Sequence, residues 1–338
     1  MTRGEILQKI ALIPAYCPGD RMIGLVKELN QSDFTVVVID DGSGSDYDEI
    51  FESAQEYAEV HRHKLNRGKG EALKSGLRLI QKEYQAPYIV VTADADGQHR
   101  TEDIIKVGET AEQHPDSLIL GKRNLDKSAP FKSRIGNAIT RVLYRLTTGR
   151  KIYETQTGLR AFSDKLLPRF VKLPGHRYEY EIDMILNASD LNIIEVGIQT
   201  IYFDNNAQTH FKPFKDTVKL NSQFLRYKIP SIIAGLAGYA LFVALVFATE
   251  RWLMPCIAAR LLTILLKYIL DKVIPFSEKP ALGRYLITAE TILLCDLLAM
   301  AALLSAGVHV FVAKLISGVL MIVVGIIVRT VFMRVKYR

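Results

Sequence analysis

Cysteine is scarce. Three occur in 338 residues, Cys17, Cys256 and Cys295, and none falls in a paired spacing or a metal-binding pattern. That excludes a disulfide-stapled scaffold and a cysteine-ligated zinc site, and the three read as reduced thiols of a chain facing the cytoplasm. Tryptophan is scarcer still, with Trp252 alone. Residues 1–8 hold no hydrophobic run of the signal-peptide kind, so no cleavable leader is expected and membrane targeting falls to later segments. The glycine-bearing loops include neither a Walker A sequence nor a complete dinucleotide fingerprint. A formal net charge of +7 comes without a nucleic-acid signature, because Lys and Arg gather beside hydrophobic segments and not in an aromatic-interleaved stripe. Anionic lipid headgroups are the expected partner, and nucleic acid is not.

Apolar residues are plentiful, at 49% of the chain, and unevenly spread. Residues 1–208 read as a soluble α/β domain and 209–228 as a basic amphipathic connector. Residues 229–338 read as an all-α membrane domain with helices near 229–249, 256–274, 285–306 and 310–332. Lys272, Lys279 and Arg284 in the middle loop, and Arg329, Arg334, Lys336 and Arg338 at the end, outweigh Arg251 and His309 in the other two loops. This asymmetry puts both termini and the α/β domain on the cytoplasmic side. Lys267 and Asp296 fall near mid-membrane and are expected to pair, while Arg260 and Lys314 are expected to snorkel outward.

The organising stretch of the α/β half is 88–99. Ile89, Val90 and Val91 form a buried parallel strand that stops at Asp94 and Asp96, with Gln98 beyond. Carboxylates at that spacing suit Mg²⁺ or Mn²⁺ shared with substrate phosphates, and an acidic turn without a ligand gives the same letters. Other strand ends carry similar chemistry: Pro14, Ala15 and Tyr16 after strand 10–13, and Asp40, Asp41, Gly42 and Ser43 after strand 35–39. A third strand, 59–64, places His61 and His63 toward solvent or at a sheet edge. Asn66, Arg67, Gly68, Lys69 and Gly70 then open a helix whose backbone N–H groups can face a diphosphate. Such repetition argues for one nucleotide crevice.

These stretches, in this order, resemble the family 2 glycosyltransferases with the GT-A fold. Gly121, Lys122 and Arg123, then Ser133, Arg134, Ile135, Gly136 and Asn137, then Gln156 through Phe162, sharpen the resemblance to its polyprenyl-phosphate, dolichyl-phosphate mannose synthase-like members. It covers roughly residues 8–212. The resemblance implies that Asp94, Asp96 and Gln98 hold the metal; that Pro14, Ala15, Tyr16, Asp40, Asp41, Lys69, Asp94, Ala95 and Asp96 border a nucleotide sugar; and that Arg123, Ser133 and Arg134 grip a lipid phosphate. After Tyr16 the family commonly has Asn-Glu, whereas this chain has Cys17-Pro18. The four C-terminal helices resemble a GtrA-like membrane domain.

The implied reaction is inverting, metal-dependent transfer of one sugar to undecaprenyl or dolichyl phosphate at a prokaryotic plasma membrane. UDP-glucose, UDP-N-acetylglucosamine and GDP-mannose stay open as donors, and so does homo-oligomerisation. A phosphate acceptor arrives ionised and needs no strong general base. Arg160 can serve either phosphate, and Glu181, beside Glu179 and Asp183, is the expected polar contact to the sugar. Helix 130–146, with apolar Phe131, Ile135, Ala138, Ile139, Val142, Leu143 and Leu146 at helical spacing and Lys132, Arg134, Arg141 and Arg145 between them, suits either a membrane surface or a core. Two other functions fit parts of the sequence. One is a transferase with a hydroxyl glycolipid acceptor, whose processive versions carry a Gln-x-x-Arg-Trp motif absent from residues 1–228. The other is a lipid-linked sugar flippase with a nucleotide-sensing domain.

Overall fold

The computed structural model describes residues 7–123, 131–199, 201, 213–273 and 282–334; for 131–136, 213–223, 225–227, 282–288, 326 and 329–334 it describes only the backbone path. The chain forms two compact units, Met1–Arg141 with Ile152–Gln223, and Val142–Lys151 with Phe224–Arg338.

In the first unit strands and helices alternate: β1 (Gln8–Ala15), α1 (Arg21–Gln31), β2 (Phe34–Asp40), α2 (Asp48–Ala54), β3 (Glu59–Arg62), α3 (Lys69–Glu83), β4 (Tyr88–Thr92), α4 (Thr101–Gln113), β5 (Ser117–Arg123), α5 (Phe131–Thr148), β6 (Arg160–Ser163), α6 (Leu167–Val171), α7 (Glu179–Asn187) and β7 (Asn192–Ile198). The sheet order is β3-β2-β1-β4-β6-β5-β7, and every adjacent pair is parallel except the two that β6 makes. This is the mostly parallel, Rossmann-like sheet that the GT-A resemblance implies. Continuous apolar runs make its central strands because both faces are covered: all five residues of β4 are buried, and Met22, Leu25, Val26 and Leu29 press one face of α1 into the core. Strand β1 runs on through Pro14, which pairs with Ile39, to Ala15 opposite Asp40. The order reverses between β1 and β4, so Tyr16, Asp41 and Asp94 leave their strands beside the switch point, where open α/β sheets bind ligands.

Helix α5 is inverted relative to a core helix. Its buried positions are Asn137, Thr140, Tyr144, Thr147 and Thr148, while Ile139, Val142 and Leu146 are exposed. Asn137 explains part of this, since its side chain accepts from Thr155 N at 3.2 Å and Thr155 Oγ1 at 2.7 Å and donates to Tyr153 O at 3.2 Å.

The second unit contains the end of α5 from Val142, α8 (Pro213–Thr249) from Phe224 onward, α9 (Leu253–Val273), α10 (Leu282–Ser305) and α11 (Val310–Arg334). The connector expected at 209–228 and the span expected from 229 fall on one continuous helix, α8, from residue 213 onward. Lys228–Thr249 and Leu253–Val273 are long and apolar enough to cross a membrane, and Val310–Gly325 is a shorter apolar helix. Only 17% of each long apolar window is buried, and Leu236, Phe247, Leu261 and Leu265 are exposed, whereas a soluble core helix hides such side chains.

The charges in these helices pair differently from expectation. Lys267 bonds Asp271 one turn along α9. Asp296, fully buried, takes Arg260 Nη2 at 2.7 Å and Lys314 Nζ at 2.6 Å on Oδ2. Arg260 and Lys314 therefore do not snorkel. They turn onto the carboxylate from two helices, and Lys267 meets its counter-charge on its own helix.

Candidate functional site

Four strand ends and α7 build the site. The turn after β4 carries Asp94, whose Oδ1 lies 2.5 Å from Lys69 Nζ. The same ammonium reaches Glu181 Oε1 at 2.8 Å. Burial alone would lower the Lys69 pKa, yet the two carboxylates hold it well above the usual range. Burial would likewise raise Asp94, but Lys69 and His99 hold it well below ordinary carboxylates. Asp96 is pushed up by burial and by the neighbouring Asp94 charge, and its Oδ1 accepts the Gln98 N–H at 3.0 Å. A Cβ at Gly158 would land on the Asp94 carboxylate, and the Gly158 carbonyl accepts from Thr92 Oγ1 at 2.8 Å. Only glycine lets the stretch leading into β6 come this close.

Asp40 and Asp41 were expected at the nucleotide, and the structure places both inside the protein, 1% and 2% exposed. Asp40 Oδ1 accepts from Ser43 N and Oγ, and Oδ2 from Arg62 Nε at 2.8 Å. Ser43 Oγ in turn accepts the N–H of Cys17 at 2.8 Å. Cys17 sits in the left-handed region at φ 47°, a conformation Asn adopts more readily than Cys, and this is where the chain departs from Asn-Glu. Asp41 accepts Arg67 N at 2.9 Å, Gly68 N at 2.7 Å and His63 Nδ1 at 2.9 Å. His63, expected at solvent or a sheet edge, thus braces Asp41, with Ser75 Oγ at 3.0 Å from its other nitrogen. The loop before α3 turns at Gly68 with φ 98°, and its Arg67 and Gly68 amides face Asp41, not an incoming diphosphate. The Glu71 N–H is likewise taken, by Gly68 O and His176 O, each at 2.9 Å.

Arg160, expected at either phosphate, is 1% exposed and donates to Thr157 O at 3.0 Å and Glu181 O at 2.5 Å. Arg123 closes a two-pronged bond on the fully buried Glu154, at 2.8 and 3.1 Å. Tyr16 stands 41% exposed at the end of β1. The side chains of Ser133 and Arg134, expected at the acceptor phosphate, lie outside the described residues. Glu179, Glu181 and Asp183, read as alternating before a helix, belong to the first turns of α7.

The family model described as Glycosyl transferase family 2 matches residues 11–170. An uncharacterised protein of Methanocaldococcus jannaschii is 36% identical over 202 residues, 56% of this chain and 80% of that one. The UDP-N-acetylglucosamine–dolichyl-phosphate N-acetylglucosaminyltransferase of Methanococcus voltae is 30% identical over 215 residues, 56% of this chain and 84% of that one. The chain belongs to glycosyl transferase family 2. It is a glycosyltransferase. A more distant relative, the undecaprenyl-phosphate 4-deoxy-4-formamido-L-arabinose transferase of Photorhabdus laumondii, is 25% identical over 183 residues, 53% of each chain.

For this family 2 enzyme the fit of a divalent cation can be tested on the donor set. Among the described residues no cluster of three or more His, Cys, Asp or Glu side chains is already arranged to hold a metal. Asp94 and Asp96 offer hard oxygens at the sheet edge, and a cation bound there draws its remaining ligands from substrate phosphates and water. His99 adds a second sign. It is 5% exposed, and neither ring nitrogen has a hydrogen-bond partner. The residues fit a small divalent ion. Sequence reasoning gave His63 no role at the site and did not single out Glu154 or His99. His99 directly follows Gln98, so proximity to the acidic pair was a usable signal. Glu154 carried none.

Proposed function

We propose that this glycosyltransferase moves one sugar, with inversion, from a nucleotide sugar to a polyprenyl phosphate at a membrane. The observation that carries the reading is how the carboxylates are engaged. Asp94 and Glu181 both pair with the Lys69 ammonium, at 2.5 and 2.8 Å. Neither geometry suits removing a proton from a hydroxyl acceptor, whereas a lipid phosphate is already an anion. The names of the Methanococcus and Photorhabdus relatives support a lipid-phosphate acceptor, and the exposed apolar faces of α8 and α9 support membrane residence.

In this reading an acceptor phosphate oxygen attacks the anomeric carbon as the bond to the nucleoside diphosphate breaks, and the diphosphate leaves as an anion. Asp94, Asp96 and Gln98 would hold a divalent ion, Mg²⁺ or Mn²⁺, and such an ion would supply positive charge to offset that of the leaving group. Lys69 lies within reach of the same charge, and Tyr16, exposed at the β1 end, borders the nucleotide. Arg123, kept in place by Glu154, joins Ser133 and Arg134 in binding the acceptor phosphate. The apolar face of α5 lies on the bilayer.

The test uses the full chain in nanodiscs with Mn²⁺, a short polyprenyl phosphate, and UDP-glucose, UDP-N-acetylglucosamine or GDP-mannose in turn. One donor is expected to give a polyprenyl-phosphate sugar by mass spectrometry. Transfer only to a neutral glycolipid hydroxyl, or to no lipid, would overturn the proposal.

A further inference from the structure

The charges that meet around Asp296 do not balance. Arg260 of α9 and Lys314 of α11 bring two positive charges to one carboxylate on α10, and these side chains are 13%, 7% and 0% exposed in that order. Cys256 Sγ, 3.2 Å from Lys314 Nζ, adds no charge as a thiol. One cation is left over among apolar helices, where an uncompensated charge is costly.

An Arg–carboxylate tie made for structure closes as a fork, with two nitrogens on two oxygens. Here Arg260 Nε at 3.0 Å, Arg260 Nη2 at 2.7 Å and Lys314 Nζ at 2.6 Å all crowd onto Asp296 Oδ2, and Oδ1 is buried without a partner. Arg260 Nη1 makes no bond among the described residues, yet it is not one of the buried unpartnered atoms. Its two N–H groups therefore stay open toward the outside of the helices.

Arg260 follows the start of α9 by seven residues and Lys314 that of α11 by four, about 10 and 6 Å at 1.5 Å per residue. At that depth a guanidinium meets a lipid phosphate drawn in from the headgroup layer, and basic pockets between membrane helices hold phosphate headgroups. We infer that Arg260 and Lys314 form a binding site for a phosphate anion, which neutralises the excess cation and accepts from Arg260 Nη1. The inference rests on the membrane residence proposed above and on no part of the catalytic site. The rival account is a neutral Lys314 amine, which leaves the cluster balanced with nothing bound.

The experiment is native mass spectrometry of the full chain, delipidated in a phosphate-free detergent, with dioleoyl phosphatidic acid, dioleoylglycerol or inorganic phosphate added in separate samples. Wild type is expected to retain one phosphatidic acid per chain and no dioleoylglycerol. Inorganic phosphate held more tightly than phosphatidic acid would support the site and assign it to the free anion. Arg260→Gln and Lys314→Met each bring the cluster to zero net charge and should weaken phosphatidic acid binding about tenfold or more. Asp296→Asn leaves both cations uncompensated and should bind it more tightly than wild type. If the variants do not fold, the choice between phosphatidic acid and dioleoylglycerol in wild type carries the test by itself. Equal retention of those two lipids with no phosphate bound, or phosphatidic acid binding unchanged in both Arg260→Gln and Lys314→Met, would overturn the inference and leave membrane residence standing. A chain that stays folded and monodisperse without detergent would remove that residence and the inference with it.

Discussion

Asp41→Asn separates two accounts of an acidic residue at a strand end. If Asp41 contacts a nucleobase or ribose, the substitution alters nucleotide recognition and leaves the loop before α3 intact. The structure instead gives its carboxylate three internal donors, the amides of Arg67 and Gly68 and the ring of His63. An Asn side chain keeps one acceptor oxygen and puts an NH₂ where the other stood. One amide, at Gly68 or Arg67, then faces a donor and is left unsatisfied, at about 1–3 kcal/mol, and the surviving bonds lose their charge assistance, about 1 kcal/mol more. The sum, about 2–4 kcal/mol, is a local opening energy. At 1.4 kcal/mol per factor of ten it predicts roughly 30- to 700-fold faster hydrogen exchange in peptides covering 63–72, with distant strands unchanged. Because Lys69 rides on this loop, donor affinity should fall to a similar degree for uridine and guanosine nucleotides. Unchanged exchange in 63–72 together with loss for one base only would refute the bracing argument.

Two further outcomes follow from buried charge. Asp296→Asn strands two cations, Arg260 and Lys314, and should cost about 3–5 kcal/mol of stability in detergent, more than Lys314→Met alone. A double-mutant cycle between Asp296 and Lys314 should be strongly non-additive, whereas one between Asp296 and Lys267 should be additive to about 0.5 kcal/mol; coupling of the second pair and not the first would reverse the assignment. For Glu71, burial alone would raise the carboxyl, but Lys74, Arg78 and His176 bring it from 4.5 down to about 2. A carboxyl lowered on folding stabilises above its unfolded value and loses that contribution as pH falls, here from about 4.5 toward 2, by at most about 3 kcal/mol. Thermal unfolding at pH 5 and pH 3 should show this loss in wild type and a flatter profile in Glu71→Gln; equal slopes would count against the pairing.

Much of the fold was legible because the apolar runs of β1, β2 and β4 and the periodicity of α1 and α3 are set by burial, which residue type reports directly. The position of Asp94 and Asp96 just beyond β4 was legible for the same reason. Which donors Asp40 and Asp41 meet was not legible: the nearby N–H groups of Ser43, Arg67 and Gly68 are nameless in a sequence. The partners of Arg160, the carbonyls of Thr157 and Glu181, were illegible in the same way. In the apolar helices Lys267 and Asp296 looked matched by depth alone, yet Asp271, one turn away, and Lys314, on another helix, decided the pairing. Burial follows composition, but polar partnerships are three-dimensional.

The reversal of β6 has a mechanical consequence. Every parallel strand hands the sheet edge its exit, whereas β6 hands it an entrance, so the stretch leading into Arg160 is pulled along the edge before it enters the sheet. On the way Glu154 clasps Arg123 at the end of β5, Gly158 touches Asp94 beyond β4, and Arg160 grasps the backbone of α7. One taut piece of chain therefore ties three elements that share no covalent neighbour. If Arg123 and Asp94 meet the acceptor and the donor as proposed, both are anchored to this one segment.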